Sequence, residues 1–398
     1  MELLPALALK KNEDRRLKAG HLWIFSNEVD TAKTPLTALE PGQLVDIQAS
    51  NGKSLGTGYA NPNSLICARL VSRDPSHQLD RSLLHHRFNI ALSLRERLYD
   101  QPFYRLLYGE SDGLPGLVVD RYDETLVAQI TTAGMERAKP AIVEALEKTL
   151  RFQNLIFRND NPLRALEGLA SYTEVAIGDL PDAVEVTEGP ARFVAPLAAG
   201  QKTGWFFDQR DNRERLSALV RDKTVLDVFS YVGAWGIRAA LAGARQVSCV
   251  DSSATALQAV VENARRNGMQ ERVETLAGDA FEVMAELRRE RRRFDVVIID
   301  PPAFIKRRKD LRNGLNAYRA LNQAAMQLLE RDGMLVSASC SYHLPREELR
   351  HIIQGSARHL DRFAQILYQG HQGPDHPVHP AIPETEYLKA FFARILPN

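Results

Sequence analysis

The chain has 398 residues, 44% of them hydrophobic, and a formal net charge of +1. That length predicts roughly two or three domains with packed cores and no disordered segment. The balanced charge excludes a globally basic nucleic-acid binder, and no apolar run approaches membrane-spanning length.

In chain order, Met1–Lys11 carries a short apolar patch with Glu2 before it and Lys10 and Lys11 after it. This reverses the order of a secretory signal and reads as a strand of the first domain. Gly42–Ile47, Ser54–Tyr59 and Leu65–Leu70 alternate as short strands between Asn51-Gly52 and Asn61-Pro62 turns, so residues 1–75 read as a small all-β unit. Arg15–Val29 is basic and then aromatic, a mixture that suits RNA contact. At least two of Leu22, Trp23, Ile24 and Phe25 are expected in the core. Basic clusters stand at Lys10, Lys11, Arg15, Arg16 and Lys18, at Arg288–Arg293 and at Lys306–Arg312. Such runs are more often solvated faces than phosphate sites.

Apolar positions from Asp80 to Tyr99 recur at helical spacing and predict a linking helix. Residues 76–195 then read as a β-β-α-β-β unit. Its strands fall near Leu117–Asp120, Leu126–Thr131, Asn154–Asn159 and Ala183–Thr187, with a helix over Met135–Leu150. Gly109–Gly116 is glycine-rich but lacks the Lys-Ser/Thr of a phosphate loop, so it reads as a turn.

Residues 196–398 repeat strand and helix at regular spacing. Strands are expected at Thr224–Val228, Gln246–Asp251, Val273–Ala277, Val296–Asp300 and Met334–Ser339. Helices are expected at Ala234–Leu241, Ala254–Asn267, Ala280–Glu290 and Tyr318–Leu329. The fold class is α/β, with a doubly wound, mostly parallel sheet. Ligands bind such sheets at the carboxyl ends of their strands.

Four expected strand tips carry Asp227, Asp251, Asp279 and Asp300. The first loop, Phe229, Ser230, Tyr231, Val232 and Gly233, has one glycine where a dinucleotide site would have three. A carboxylate beside it suits a cationic ligand, and this favours S-adenosyl-L-methionine. Asp251 can accept from ribose hydroxyls. Asp279 can accept from an adenine amino group, or simply cap the following helix.

The motifs V-L-D-V-F-S-Y-V-G (225–233), V-D-S-S (250–253), G-D-A-F (278–281) and D-P-P-A-F (300–304) resemble those of class I S-adenosylmethionine-dependent methyltransferases. More narrowly, K-T-G-W-F-F-D-Q-R-D-N-R (202–213), S-A-S-C-S (337–341), G-E-S-D-G-L-P-G (109–116) and D-H-P-V (375–378) resemble the RlmI-like bacterial 23S rRNA methyltransferases. The resemblance covers nearly the whole chain. It implies an N-terminal PUA-like RNA-binding barrel, a small central α+β domain and a Rossmann-like methyltransferase domain. It also implies 23S rRNA or a large-subunit assembly intermediate as partner and 5-methylcytosine as product; a homodimer is compatible with it. The expected cofactor-lining set is Phe206, Gln209, Asp227, Phe229, Ser230, Tyr231, Gly233, Asp251, Ser252, Asp279, Ala280 and Asp300. RNA contacts are expected at Lys10, Lys11, Arg15, Arg16, Lys18 and Lys306.

Cytosine C5 is too weakly nucleophilic to be methylated directly, so a thiolate must first add to C6. Cys340, among serines at a strand tip, is the expected nucleophile. Asp300 is expected on the N3/N4 edge of the base. Cys67 and Cys249 read as core residues. The three cysteines are far apart and show no metal-ligand spacing, which suits a reducing, cytoplasmic setting. Pro301-Pro302-Ala303 lacks the second cysteine that many RNA cytosine-C5 methyltransferases use for product release, so Asp300, Asp208 or a water is left to remove the C5 proton. Two other readings stay open. A guanine N-methyltransferase would use the Asp300-Pro301-Pro302 loop without a nucleophile, and a non-catalytic assembly protein would only bind rRNA. His376 and His379, beside prolines, read as loop contacts.

Overall fold

The computed structural model describes residues 4–197 and 203–398. Met1–Leu3 and Lys202, the first residue of the K-T-G stretch, lie outside the described residues. The chain forms two compact units. One draws on Met1–Val184, Leu197–Trp205 and Pro374–Thr385, the other on Glu185–Pro196, Phe206–Gly373 and Glu386–Asn398.

The first unit holds two sheets. Ala6–Ala8, Gln43–Gln48, Ser54–Ala60, Ile66–Ser72 and Trp23–Phe25 lie side by side in that order. Leu7, Leu9, Val45, Ile47, Ala68 and Leu70 fill the core of this sheet. Of the four residues from Leu22 to Phe25, only Ile24 is fully buried, and Leu22 packs against the same core at half exposure. Trp23 and Phe25 stay half-exposed because a polar partner and a cation meet them there. The Trp23 indole donates to Glu110 Oε1 at 2.9 Å, and the Arg16 guanidinium lies 4.8 Å from the Phe25 ring.

The second sheet runs Tyr172–Ile177, Asn154–Asn159, Thr125–Ile130, Leu117–Tyr122, Phe103–Tyr108. Three of its strands were expected; Phe103–Tyr108 and Tyr172–Ile177 were not. The helix expected over Met135–Leu150 is two helices, Ala133–Arg137 and Lys139–Thr149. Pro140 sits in the first turn of the second, where its missing N–H costs nothing. Residues expected as a fourth strand of this domain, Ala183–Thr187, instead start a separate hairpin, Ala183–Glu188 with Ala191–Pro196.

The glycine-rich stretch Gly109–Gly116 is structural. Asp112 accepts two bonds from Arg95, each 2.8 Å, and one from the Tyr108 amide at 2.6 Å. Arg95 also donates to the Asp375 carbonyl at 2.8 Å, so this stretch and D-H-P-V meet round one buried guanidinium. His376 is buried and bonds Asp375 at 2.9 Å.

The second unit is built on a seven-stranded sheet. Its order is Val273–Ala277, Gln246–Asp251, Thr224–Val228, Phe294–Ile299, Leu329–Ser339, Lys389–Pro397, Arg362–Gly370. The first five are parallel; Lys389–Pro397 runs antiparallel to both its neighbours. Two strands at the carboxyl end thus join the five expected. Alternation sends Leu226, Val297, Leu335 and Phe391 to one face. There they pack with Met284, Leu321 and Ile353 of the helices Ala280–Arg289, Leu311–Gln327 and Arg346–His359. Val225, Val296, Val336 and Phe392 pack on the other face with Leu216, Trp235 and Val260. Strands covered on both faces read as continuous apolar runs, as these do. Among the described residues, no helix is long and apolar enough to cross a membrane.

A buried ion pair fastens the hairpin after Val184 to the helix Arg210–Ser217. Arg213 of helix Arg210–Ser217 donates to both carboxylate oxygens of Glu188, at 2.7 and 2.5 Å, and to the Phe206 carbonyl at 2.9 Å. Burial acts to raise the Glu188 carboxyl, and the Arg213 guanidinium outweighs it and holds it below the ordinary value. Removing Arg213 takes away both short bonds to the buried carboxylate and leaves it only the more distant Arg210, 3.9 Å away. Arg213→Met is therefore expected to destabilise the fold by about 3–5 kcal/mol, read as a lowered urea midpoint by tryptophan fluorescence.

Candidate functional site

The first strand ends in a contorted loop. Phe229, Tyr231 and Gly233 all have left-handed backbones, at φ +66°, +49° and +82°. Such conformations persist only where surrounding bonds hold them. Here the Ser230 amide donates to the Val250 carbonyl at 2.9 Å and the Tyr231 amide to Asp251 Oδ2 at 2.9 Å. Asp251 Oδ1 accepts from the Ser253 amide at 2.9 Å, which leaves Ser252 exposed at the rim. The second strand tip is thereby tied to the first loop.

Asp227 lies fully buried beneath that loop. Its Oδ2 accepts from the Gly236 amide at 2.9 Å, while Oδ1 is buried without a hydrogen-bond partner among the described residues. Burial raises its carboxyl to about 7; the Gly236 N–H opposes this, and the charge of Asp300 adds to it. The buried Ser230 hydroxyl also has no partner among the described residues. Asp279 caps the helix Ala280–Arg289, its Oδ1 accepting from Phe281 at 2.9 Å and Glu282 at 3.3 Å. These residues fit S-adenosylmethionine. The orphaned acceptor at Asp227 suits an amine, and the carboxylates of Asp251 and Asp279 stand at the next two strand tips.

Asp300 follows the fourth strand. The Gln209 amide donates to both its oxygens at 3.0 Å, and the Trp235 indole donates to Oδ2 at 3.0 Å. Burial raises this carboxyl to about 6; the Trp235 and Gln209 bonds pull it down, and the charge of Asp208 pushes it up. Gln209, expected among the cofactor-lining residues, donates to Asp300, with Asn212 donating to its Oε1 at 2.7 Å. Phe206 meets Tyr231 edge-on at 5.6 Å, which brings the lead-in segment to the loop. Phe207 is core, with Arg210 lying 5.3 Å from its ring. The indole of Trp235 was not singled out by sequence reasoning; A-W-G-I looks like an apolar helix face.

Cys340 follows Ser339, the last residue of the fifth strand, and is half-buried. The Tyr318 hydroxyl bonds both flanking serines, Ser339 and Ser341, at 2.8 Å. The Ile305 amide donates to Ser341 Oγ at 3.2 Å, tying the segment after D-P-P-A-F to the cysteine turn. Ile299 pairs with Ser337, so Asp300 and Cys340 leave adjacent strands at the same edge. Sequence reasoning also missed Lys389, which pairs with Ser339 and donates to the Ser341 carbonyl at 2.6 Å. Its signal was a lysine opening the run K-A-F-F-A-R-I-L. Cys67 and Cys249 are buried in the cores; burial pushes the Cys67 thiol up to about 12 and raises that of Cys249 as well. Neither has reactive-thiol character.

The basic residues divide. Lys10, Lys11, Arg15 and Lys306 are exposed. Arg16 is spent on Glu28 at 3.3 Å and the Trp23 carbonyl at 3.1 Å. Lys18 pairs with Asp14 and lines a cleft of about 290 Å³ with Lys53, Asn51 and Arg73. The sequence reading had not singled out Lys53 or Arg73.

Comparisons with known proteins identify the family. A PUA-like domain family matches residues 7–73, and the family described as Conserved hypothetical protein 95 matches residues 207–347. The chain is 36% identical to a ribosomal RNA large subunit methyltransferase I of Aliivibrio fischeri, over 98% of this chain and 99% of that one. It is 34% identical to the protein of that name from Klebsiella pneumoniae, over 99% of both. Among solved structures, a candidate SAM-dependent methyltransferase from Streptococcus mutans superposes with a TM-score of 0.82 at 20% identity, over 98% of this chain and 100% of that one. The M. jannaschii tRNA m1G37 methyltransferase shares the fold more loosely, with a TM-score of 0.53 at 15% identity over 79% of each chain.

The raised carboxyl of Asp227 has a consequence for stability. A carboxyl raised in the folded state contributes stability that is present below its unfolded value, near 4, and lost as pH rises through about 7. Asp227→Asn removes that loss. It is expected to raise the melting temperature at pH 8 and to change it little at pH 4, by calorimetry at both.

Proposed function

The chain belongs to the ribosomal RNA large subunit methyltransferase I family, and on that premise we propose that it methylates C5 of a cytosine in 23S rRNA through a Cys340–C6 adduct. It is a methyltransferase, and its cofactor is S-adenosyl-L-methionine. Asp227, Phe229, Ser230, Tyr231, Gly233, Asp251, Ser252, Asp279 and Ala280 hold that cofactor, with Phe206 beside them. When bound, it supplies an electrophilic methyl group.

The observation that carries the reading is the pairing of Asp300 and Cys340 at the ends of adjacent strands, joined by the Ile305–Ser341 bond. Cys340 adds to C6, which makes C5 an enamine carbon. Asp300 holds the N3/N4 edge of the base. A carboxyl near 6 can accept from the amino group as carboxylate and give a proton to N3 as charge builds there. Asp300, Asp208 or a water takes the C5 proton when the thiolate leaves.

Labelled S-adenosylmethionine and unmodified rRNA test this. Label is expected in 5-methylcytosine, and Cys340→Ala is expected to lower its rate roughly a thousandfold or more. Undiminished transfer by that variant would sink the adduct and favour guanine N-methylation through Asp300-Pro301-Pro302. Tight rRNA binding with no transfer by the wild type would favour a non-catalytic role.

The N-terminal barrel would hold the RNA through its cleft. Lys18→Glu with Lys53→Glu is expected to weaken rRNA binding. It should lower the slope of log affinity against log salt by about 2, one for each phosphate no longer neutralised. An unchanged slope would place the RNA elsewhere.

A further inference from the structure

Lys389 is buried, 5% exposed, and opens the strand that runs antiparallel to the one ending at Ser339. Its Nζ is fixed by the 2.6 Å bond to the carbonyl of Ser341, one residue beyond Cys340. No carboxylate lies within ion-pair distance of it among the described residues. A buried ammonium without an anion is costly, so the groups around it have to supply one.

Three charged or titratable groups act on it: Cys340, Arg346 and Glu386. Glu386 is exposed and lies 3.9 Å from Arg346, whose guanidinium also reaches the Leu388 carbonyl at 3.4 Å. Tyr318 faces Cys340 from the helix Leu311–Gln327, and burial raises its hydroxyl above the ordinary value, so it stays neutral. Of the two anionic groups, Cys340 acts on the buried cation more strongly than Glu386. Burial pushes the Lys389 ammonium down to about 8, against which the charge of Cys340 acts, so its amine can exchange a proton with a thiol near neutral pH.

We infer that Lys389 is the positioning residue that activates Cys340: its amine takes the thiol proton, and its ammonium then holds the thiolate at the strand tip. The inference rests on the thiolate reading above. The S–H bond breaks and an N–H bond forms; the electron pair stays on sulfur, and the pair keeps its net charge. The same sulfur electron pair forms the bond to C6 and returns to sulfur when that bond breaks. Lys389 acts through Cys340 and is not required to touch the base.

The test is the pH dependence of iodoacetamide alkylation at Cys340 in the full-length protein without RNA or cofactor, followed on the Cys340 peptide by mass spectrometry. The wild-type midpoint is expected well below that of an ordinary thiol, about 8.5. Lys389→Met is expected to raise it by about one unit or more, slowing alkylation at pH 7 about tenfold. Lys389→Arg is expected to keep the midpoint near wild type, and melting curves run alongside report folding. An unchanged midpoint in a folded Lys389→Met protein overturns the inference. So does a wild-type midpoint at or above the ordinary thiol value, which decides the matter if the methionine variant does not fold. Cys340-dependent methylation with an ordinary thiol titration would remove Lys389 alone. Methylation that survives Cys340→Ala would remove the adduct instead, and the thiol titration would still be read.

Discussion

The bond network on the Asp300 carboxylate is what the rest of the site is arranged around. Its donors come from outside its own strand, Gln209 in the lead-in turn and Trp235 in the first helix of the sheet. A half-buried carboxylate left without donors would be driven to its neutral form. Behind Gln209 stands Asn212, which also donates to the His371 carbonyl at 3.1 Å. At Gly370 an added Cβ would sit 1.9 Å from Asn212 Oδ1. The support of one carboxylate therefore reaches through a turn, a helix and the last residue of the edge strand.

The parallel sheet was legible because its strands are buried on both faces and its carboxylates mark their ends. The strands Thr224–Val228, Gln246–Asp251 and Val273–Ala277 fall where the apolar runs and the Asp tips place them. Residues whose role depends on a distant partner were not legible. Trp235 lies 65 positions from Asp300 and Gln209 lies 91 from it. An indole on an apolar helix face shows its N–H only once the fourth strand is set beside it. Lys389 is hidden more deeply, since it needs a strand that runs against the rest and was absent from the regular strand–helix reading. The strand Phe103–Tyr108 of the central domain escaped notice for a related reason. F-Y-R-L-L-Y alternates poorly, and Arg105 points to Asp120 at 2.6 Å on the neighbouring strand.

Both units use buried guanidinium groups to fasten segments far apart in sequence. Arg95 joins Asp112 to the Asp375 carbonyl, 280 positions from it. Arg213 joins Glu188 to the Phe206 carbonyl. A planar fork of donors can satisfy two acceptors at once, which a lysine cannot do with the same geometry. Motifs such as G-E-S-D-G-L-P-G and D-H-P-V are therefore explained by architecture and need no catalytic role.

The chain passes between its two units at five points, after Val184, Pro196, Trp205, Gly373 and Thr385. Neither unit corresponds to one uninterrupted stretch of coding sequence. A gene segment beginning at Phe206 would omit Glu188, and one ending at Val184 would omit Asp375. A single continuous exchange could not replace either unit as a cassette. The protein is bound to be inherited, and to be engineered, as a whole.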